Sequence, residues 1–389
     1  MQRAVSWAKH SGRLVYAGGL AGALLCALLL MMGGLPAPAA AEGNTICVGP
    51  AGDYATVQAA VDAAQDGDTI LVASHTFTEN VVITKSVTIG GRWKDDCSVK
   101  NAPNETGTAV HPTTGRAFTI GPDQPGVSIT VVITDISAVG DATGLGGAEP
   151  LEQSATVTFT TGSEAQFTNT LPIAAAGTVE EWREQVVRAA AQSLIPGAPS
   201  AEEITARLAG PQAQTWLPEL QTQAANVYRP AGTEVDCGGA LYAKGAGLRL
   251  QNFNAGGVAS TTGDGYGGGV CIVEPTAAGV YIVKSAVNQS VGSLSGFGVG
   301  GAMFIQGGDD AGSVVLEDAG FYNSIAAPHS AGWGGGLAVV NTPHFKLMGS
   351  EVTNCTIATN LASGSGDGLG GGIFLQGVAA AEVSKCRFL

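Results

Sequence analysis

Asp309-Asp310, followed by Glu317 and Asp318, forms the densest acidic cluster in the second half of the chain. Paired carboxylates hydrolyse glycosidic bonds, and converging carboxylate oxygens hold Ca²⁺. Gly263-Asp264-Gly265 and Gly366-Asp367-Gly368 each place an Asp just ahead of a glycine triplet, a second arrangement that could line up Ca²⁺ along one edge. Turn chemistry stands against both, because Asp beside glycine favours a solvated turn. The Gly-Gly-x-Gly-x-Asp spacing of calcium rolls is also missing. Asp309, Asp310, Asp264 and Asp367 are therefore candidate metal ligands, Ca²⁺ is the one cofactor considered, and no catalytic residue is assigned. His75, His111, His329 and His344 stand apart from one another, and nothing local supplies a triad or zinc partner. The glycine-rich stretches are not phosphate loops, since no Gly-Lys-Ser/Thr follows them.

Tyr242, Phe304 and Phe374 recur at one position of a repeat described below. They could present a strip for sugar rings, or pack beneath a loop or an inserted segment. Six cysteines follow residue 41: Cys47, Cys97, Cys237, Cys271, Cys355 and Cys386. An even count suits disulfides in an exported chain, and the absence of CxxC argues against zinc or dithiol chemistry. Cys47 with Cys97, and Cys237 with Cys271, are the candidate pairs; buried free thiols are the alternative.

The elements that must position these residues form a repeat. Two glycines, a small residue and an apolar run occur at Gly238, Gly267, Gly300, Gly334 and Gly370, at intervals of 29, 33, 34 and 36. A period in this range marks stacked supersecondary units. The fourth position reads Leu241, Val270, Met303, Leu337 and Ile373; the sixth reads Ala243, Ile272, Ile305, Val339 and Leu375. Positions two apart share one face of a strand, so stacking the repeats gives two continuous apolar ladders. The residue between the ladders faces away from them. The paired glycines fit a turn that needs positive φ or a close approach of neighbouring repeats. A second strand follows in each repeat, as at Ser313–Leu316 and Ala381–Ser384. Phe321-Tyr322-Asn323 and Val352-Thr353-Asn354 suggest an Asn column at the turns.

Ahead of the repeats, Thr56 is expected to cap a short helix carrying Val57, Ala60, Val61 and Ala64 on one face, with Gly67 ending it. This helix would cover the first open coil. Strands are expected at Thr69–Ala73, Val81–Thr84, Val87–Ile89, Ala117–Ile120 and Ile129–Ile133. Residues 148–236 differ in kind. A hairpin is expected around Thr161-Gly162-Ser163, with helices following from Thr178 and from Ser200.

Residues 1–41 have the parts of an export signal: Arg3, Lys9 and Arg13, an uncharged apolar stretch over 14–35, and small residues at Ala39-Ala40-Ala41. That stretch is long enough to span a bilayer, so a cleaved signal and a retained anchor both stay open. The chain holds 18 basic and 32 acidic residues, a net −14. The leader takes three basic and no acidic residues, leaving 15 against 32, or −17, beyond it. A body this acidic repels nucleic acid phosphates. Glycans or proteins at a cell surface are the expected partners, with membrane contact only through residues 14–35.

The glycine turns and their ladders resemble the pectin-lyase-like right-handed parallel β-helix proteins. Gly-Gly-Ala/Gly-apolar phrases, with Phe321-Tyr322-Asn323 between them, are similar to the repeats of the polymorphic outer membrane proteins. Gly52 to Ala64 and Glu79 to Ile83 are similar to the first coils of pectin methylesterases. That family's Asp-Phe-apolar-Phe-Gly and Arg-Pro-Trp phrases are missing here, so the resemblance implies the scaffold and no catalytic residues. The expected fold is all-β, a right-handed parallel β-helix with a short N-terminal capping helix and a helical insertion. The expected organisation is a leader (1–41), a cap with first coils (42–147), an inserted hairpin and helical subdomain (148–236), and glycine-turn repeats (237–389) that break off within a larger array. The expected role is an exported cell-surface or secreted scaffold for adhesion or for glycan or protein binding. The alternative is an extracellular polysaccharide lyase or glycoside hydrolase, which the sparse Lys and Arg of the repeats disfavours for an anionic substrate.

Overall fold

The computed structural model describes residues 43–148, 235–308, 311–350, 354–366 and 368–389, and the backbone alone of 153–161 and 165–173. The expected leader, the helices expected in the insertion, Asp309, Asp310 and Asp367 lie outside the described residues. Among the described residues no helix is long and apolar enough to cross a membrane.

Parallel strands stack coil over coil in four sheets. The first sheet runs from Thr45–Val48 through Thr69–Ala73, Thr88–Trp93 and Ile129–Thr134 to Ala380–Ser384, nine strands in all. The chain then turns into a second sheet, crosses to a third, and returns to the first one coil further on. The third sheet stacks Val81–Ile83, Phe118–Ile120, Leu241–Lys244, Val270–Val273, Met303–Gln306, Leu337–Val340 and Ile373–Gln376.

Both expected ladders lie in this third sheet. Leu241 pairs with Val270, Val270 with Met303, Met303 with Leu337, and Leu337 with Ile373. Ala243, Ile272, Ile305 and Val339 form the second ladder on the same inward face, all fully buried. Neighbouring strands lie about 4.8 Å apart, so each side chain rests on its counterpart in the next coil. Burying one such Leu, Ile or Met contributes about 1.5–3 kcal/mol. The glycine turns use both expected properties. The first glycine of each is left-handed, φ +58 to +67 from Gly238 to Gly370. The second abuts the next coil, where a Cβ on Gly268 would meet the carbonyls of Val291 and Gly301.

Helix α1, Val57–Ala63, starts where expected: the Ala59 N–H donates to Thr56 Oγ1 at 3.2 Å. The Glu79 carboxylate accepts the N–H groups of Val57 and Gln58 at 2.8 and 2.9 Å, a negative charge at the positive end of the helix. Val57, Ala60 and Val61 are buried in the main core. The helix ends at Ala63, short of Gly67. Lys85 Nζ donates to the carbonyls of Val61, Asp62 and Ala64, a C-terminal cap brought from the next coil.

The strand expected to end at Ile89 runs on through Gly90-Gly91 to Trp93. The Asn column is also shifted. Phe321 pairs with Ile357, so Asn354 lies ahead of its strand while Asn323 lies behind its own. Asn323 Nδ2 donates to Asn288 Oδ1 of the preceding coil at 3.1 Å, and a second column is formed by Ser290, Ser324 and Asn360. The Ser290 N–H donates to Ser324 Oγ at 3.3 Å, and the Ser324 N–H to Asn360 Oδ1 at 3.0 Å.

The expected hairpin forms, Gln153–Thr161 antiparallel to Ala165–Ile173. The insertion boundaries at 148 and 236 fall on Gly147–Ala148 and Val235–Cys237, which pair antiparallel with each other. The chain therefore leaves the coils and re-enters them at one place.

Three disulfides staple the coils. Cys47–Cys97 and Cys237–Cys271 have Cα atoms 5.8 and 5.6 Å apart. Cys355–Cys386, 4.5 Å apart, joins register partners on adjacent strands of the second sheet.

Candidate functional site

The fourth sheet decides the fate of the aromatic column. Its strands Gly265–Tyr266, Gly298–Val299, Gly332–Trp333 and Gly368–Leu369 are two residues long, each just ahead of a glycine turn. A second apolar cluster joins side chains of this sheet to the outward side chains of the third. Phe304 is fully buried there, its ring 4.8 Å from that of Tyr266. Phe374 stacks on Trp333 at 5.0 Å, and Trp333 meets Phe297 edge-on at 4.8 Å. Phe304 therefore offers no ring to a sugar, and Phe374 has one face committed to Trp333. Cys237 and Cys271 lie in the same buried cluster. The sequence signal for this layer is the residue directly before each glycine turn: Cys237, Tyr266, Val299, Trp333 and Leu369.

Tyr242 is only half-buried. Its hydroxyl donates to the Gly147 carbonyl at 2.8 Å, and the Arg116 guanidinium carbon lies 4.7 Å from the ring centre. It also borders a cleft of about 990 Å³ along the turn from the third sheet back to the first. Pro122, Pro125 and Pro275 supply ring faces there; Asp123, Lys244 and Glu274 supply charge. The stacked backbone fixes this edge: the Gly245 N–H donates to Val273 O at 3.1 Å, and the Glu274 N–H to Gln306 O at 2.8 Å. Glu274 takes a left-handed φ of +50, which turns the chain out of its strand. Apolar rings beside a few polar groups suit a ligand with alternating apolar and hydrogen-bonding faces.

The structure uses the described acidic candidates in turns. Asp264 Oδ1 accepts the Phe297 N–H at 2.7 Å, tying its Gly-Asp-Gly turn to the next coil. Asp318 is buried and left-handed at φ +52, and its Oδ1 accepts the Ser350 N–H at 2.7 Å. Neither carboxylate belongs to a metal-holding group among the described residues.

His75 is not isolated. Its Nε2 lies 2.7 Å from Asp95 Oδ1, on an exposed surface. The two are 20 residues apart and meet because consecutive coils stack.

Sequence reasoning also passed over Tyr281. It projects from the outer face of the first sheet, between inward Val280 and Ile282, and the Arg249 guanidinium lies 5.0 Å from its ring centre. The in-out alternation of Val280-Tyr281-Ile282 would have found it.

No family model, curated protein or solved structure matches the chain.

Proposed function

We propose that this chain is an exported binding scaffold built on a right-handed parallel β-helix, which takes a glycan or protein segment in the cleft beside Tyr242. The cleft carries this reading. It is open along one side, walled by proline and tyrosine rings, and held by backbone stacked coil on coil. A stiff, laterally exposed surface suits an extended ligand. Three disulfides suit an oxidising compartment, in keeping with the leader-like residues 1–41.

The test is a glycan array with the purified full chain, run beside a reducing-sugar release assay. Retention of a saccharide, weakened about tenfold in Lys244→Ala, is the expected result; tenfold corresponds to about 1.4 kcal/mol. Sugar release without retention on the array overturns the scaffold reading.

A second reading, a polysaccharide-degrading enzyme, draws on Asp123 and Glu274 lining the same cleft as Lys244. A carboxyl pair is what glycoside hydrolysis uses. Release that disappears in Glu274→Gln, with the fold intact, would favour it.

A further inference from the structure

The corner between the first and second sheets gathers four cations, Arg92, Lys94, Lys100 and Lys284, in a chain of net charge −14. A cleft of about 450 Å³ opens there, lined in part by Arg92, Glu105, Asp135, Asn252, Asn254 and Lys284. Asp135, Asn252 and Lys284 occupy the left-handed turn position of successive coils, with φ of +57, +49 and +49. The Asp135 N–H donates to Gln251 O, and the Asn252 N–H to Val283 O, so the three side chains rise one above another.

Asp135 is the carboxylate at the centre, and it is more than satisfied. Lys100 Nζ lies 2.7 Å from Oδ2, Asn252 Nδ2 3.1 Å from Oδ1, and Arg92 Nη1 4.0 Å from Oδ1. Arg92 is largely buried, held by the Asn101 carbonyl at 3.2 Å. Lys284 is exposed at the cleft, and its ammonium makes no ion pair among the described residues. Glu105, on the wall of the cleft, pairs with Lys94 at 3.5 Å, and the neighbouring Asp318 accepts the Ser350 N–H. Arg92, Lys94, Lys100 and Lys284 therefore stand against Asp135, Glu105 and the neighbouring Asp318, and Lys284 is the one of these four cations without an ion pair among the described residues.

We propose that this corner is a binding site for a sulfate or phosphate ester, distinct from the cleft beside Tyr242. Such an ester offers three acceptor oxygens. Arg92, the Lys284 ammonium and the exposed Asn254 amide line the cleft and supply donors. Lys284 is the recognition residue, since its charge is not already matched.

Calorimetric titration of the full chain at low ionic strength with glucose 6-sulfate, glucose 6-phosphate and glucose tests this. At least one ester binds, glucose does not, and the arm that binds identifies the ester. Lys284→Ala weakens that binding at least about tenfold, with an unchanged melting temperature, and added salt weakens it in the parent. Esters that bind no better than glucose, or a Lys284→Ala protein that binds them equally well, overturn the proposal. A melting temperature lowered in Lys284→Ala calls for Lys284→Gln, which keeps the stem; equal ester binding by that variant overturns it too.

Discussion

The guanidinium of Arg116 donates from Nε to the carbonyl of Cys237 at 2.8 Å, across 121 residues of chain. A second nitrogen of the same group donates to the Gly146 carbonyl. The Asp236 carboxylate accepts the N–H groups of Gly144 and Gly146, both at 2.9 Å. Arg116 and Asp236 are buried, and together they close the coil where the insertion leaves and returns. The insertion thus costs the stack no coil: the strand after it resumes the register set by Phe118–Ile120 before it.

Replacing Arg116 by Leu leaves the carbonyls of Cys237 and Gly146 without this buried, charge-assisted donor. The expected loss is about 2–4 kcal/mol, read as a lowered urea midpoint. Arg116→Lys recovers only part of it, because a point ammonium cannot reproduce the fork.

Truncating a ladder residue opens a cavity that its neighbours above and below cannot fill. Met303→Ala is expected to cost about 2–5 kcal/mol in the same measurement. Phe304→Ala, in the outer cluster, is expected to cost about 3–5 kcal/mol, as a buried side chain does and a surface sugar platform would not.

Glycines at the turns fall into two kinds. Gly245 is left-handed at φ +64, but a Cβ there meets nothing nearer than 3.6 Å. Gly245→Ala therefore carries only the conformational cost, about 1–2 kcal/mol. Gly268→Ala drives a Cβ into the backbone of neighbouring coils, and its loss is expected to exceed about 2 kcal/mol. A melting series of the two variants checks the order.

Peptide mapping without reductant is expected to find Cys47 joined to Cys97, Cys237 to Cys271, and Cys355 to Cys386. Cys47–Cys97 closes a separation of 50 residues, and its removal by paired Ser substitutions is expected to cost roughly 4 kcal/mol in the chain-entropy account.

The Asp96 carboxyl is held below its ordinary value of 3.8 by the hydroxyl of Ser98, then by the Ser98 N–H. A depressed folded-state value favours the folded chain above the ordinary value, and that contribution is lost as pH falls through the folded one. An NMR titration of Asp96 is expected to move upward in Ser98→Ala, toward 3.8.

Much of the scaffold was legible in the residues themselves. In a strand, side chains alternate with a period of two, so Leu241 and Ala243 declare one face and Tyr242 the other. Five copies then align the faces without any knowledge of the third dimension. Two cysteine pairs, the N-terminal cap at Thr56 and the 153–173 hairpin followed from similarly local patterns. What sequence could not give was whatever rests on stacking between coils. The fourth sheet has strands of two or three residues, too short to carry a period, so the burial of Phe304 emerged only from the stack. His75 meets Asp95, and Arg116 meets the Cys237 carbonyl, because register brings distant turns level. The clefts at Glu274 and at Lys284 are likewise products of that register: each is assembled from successive coils whose order in space the chain fixes only once it has folded.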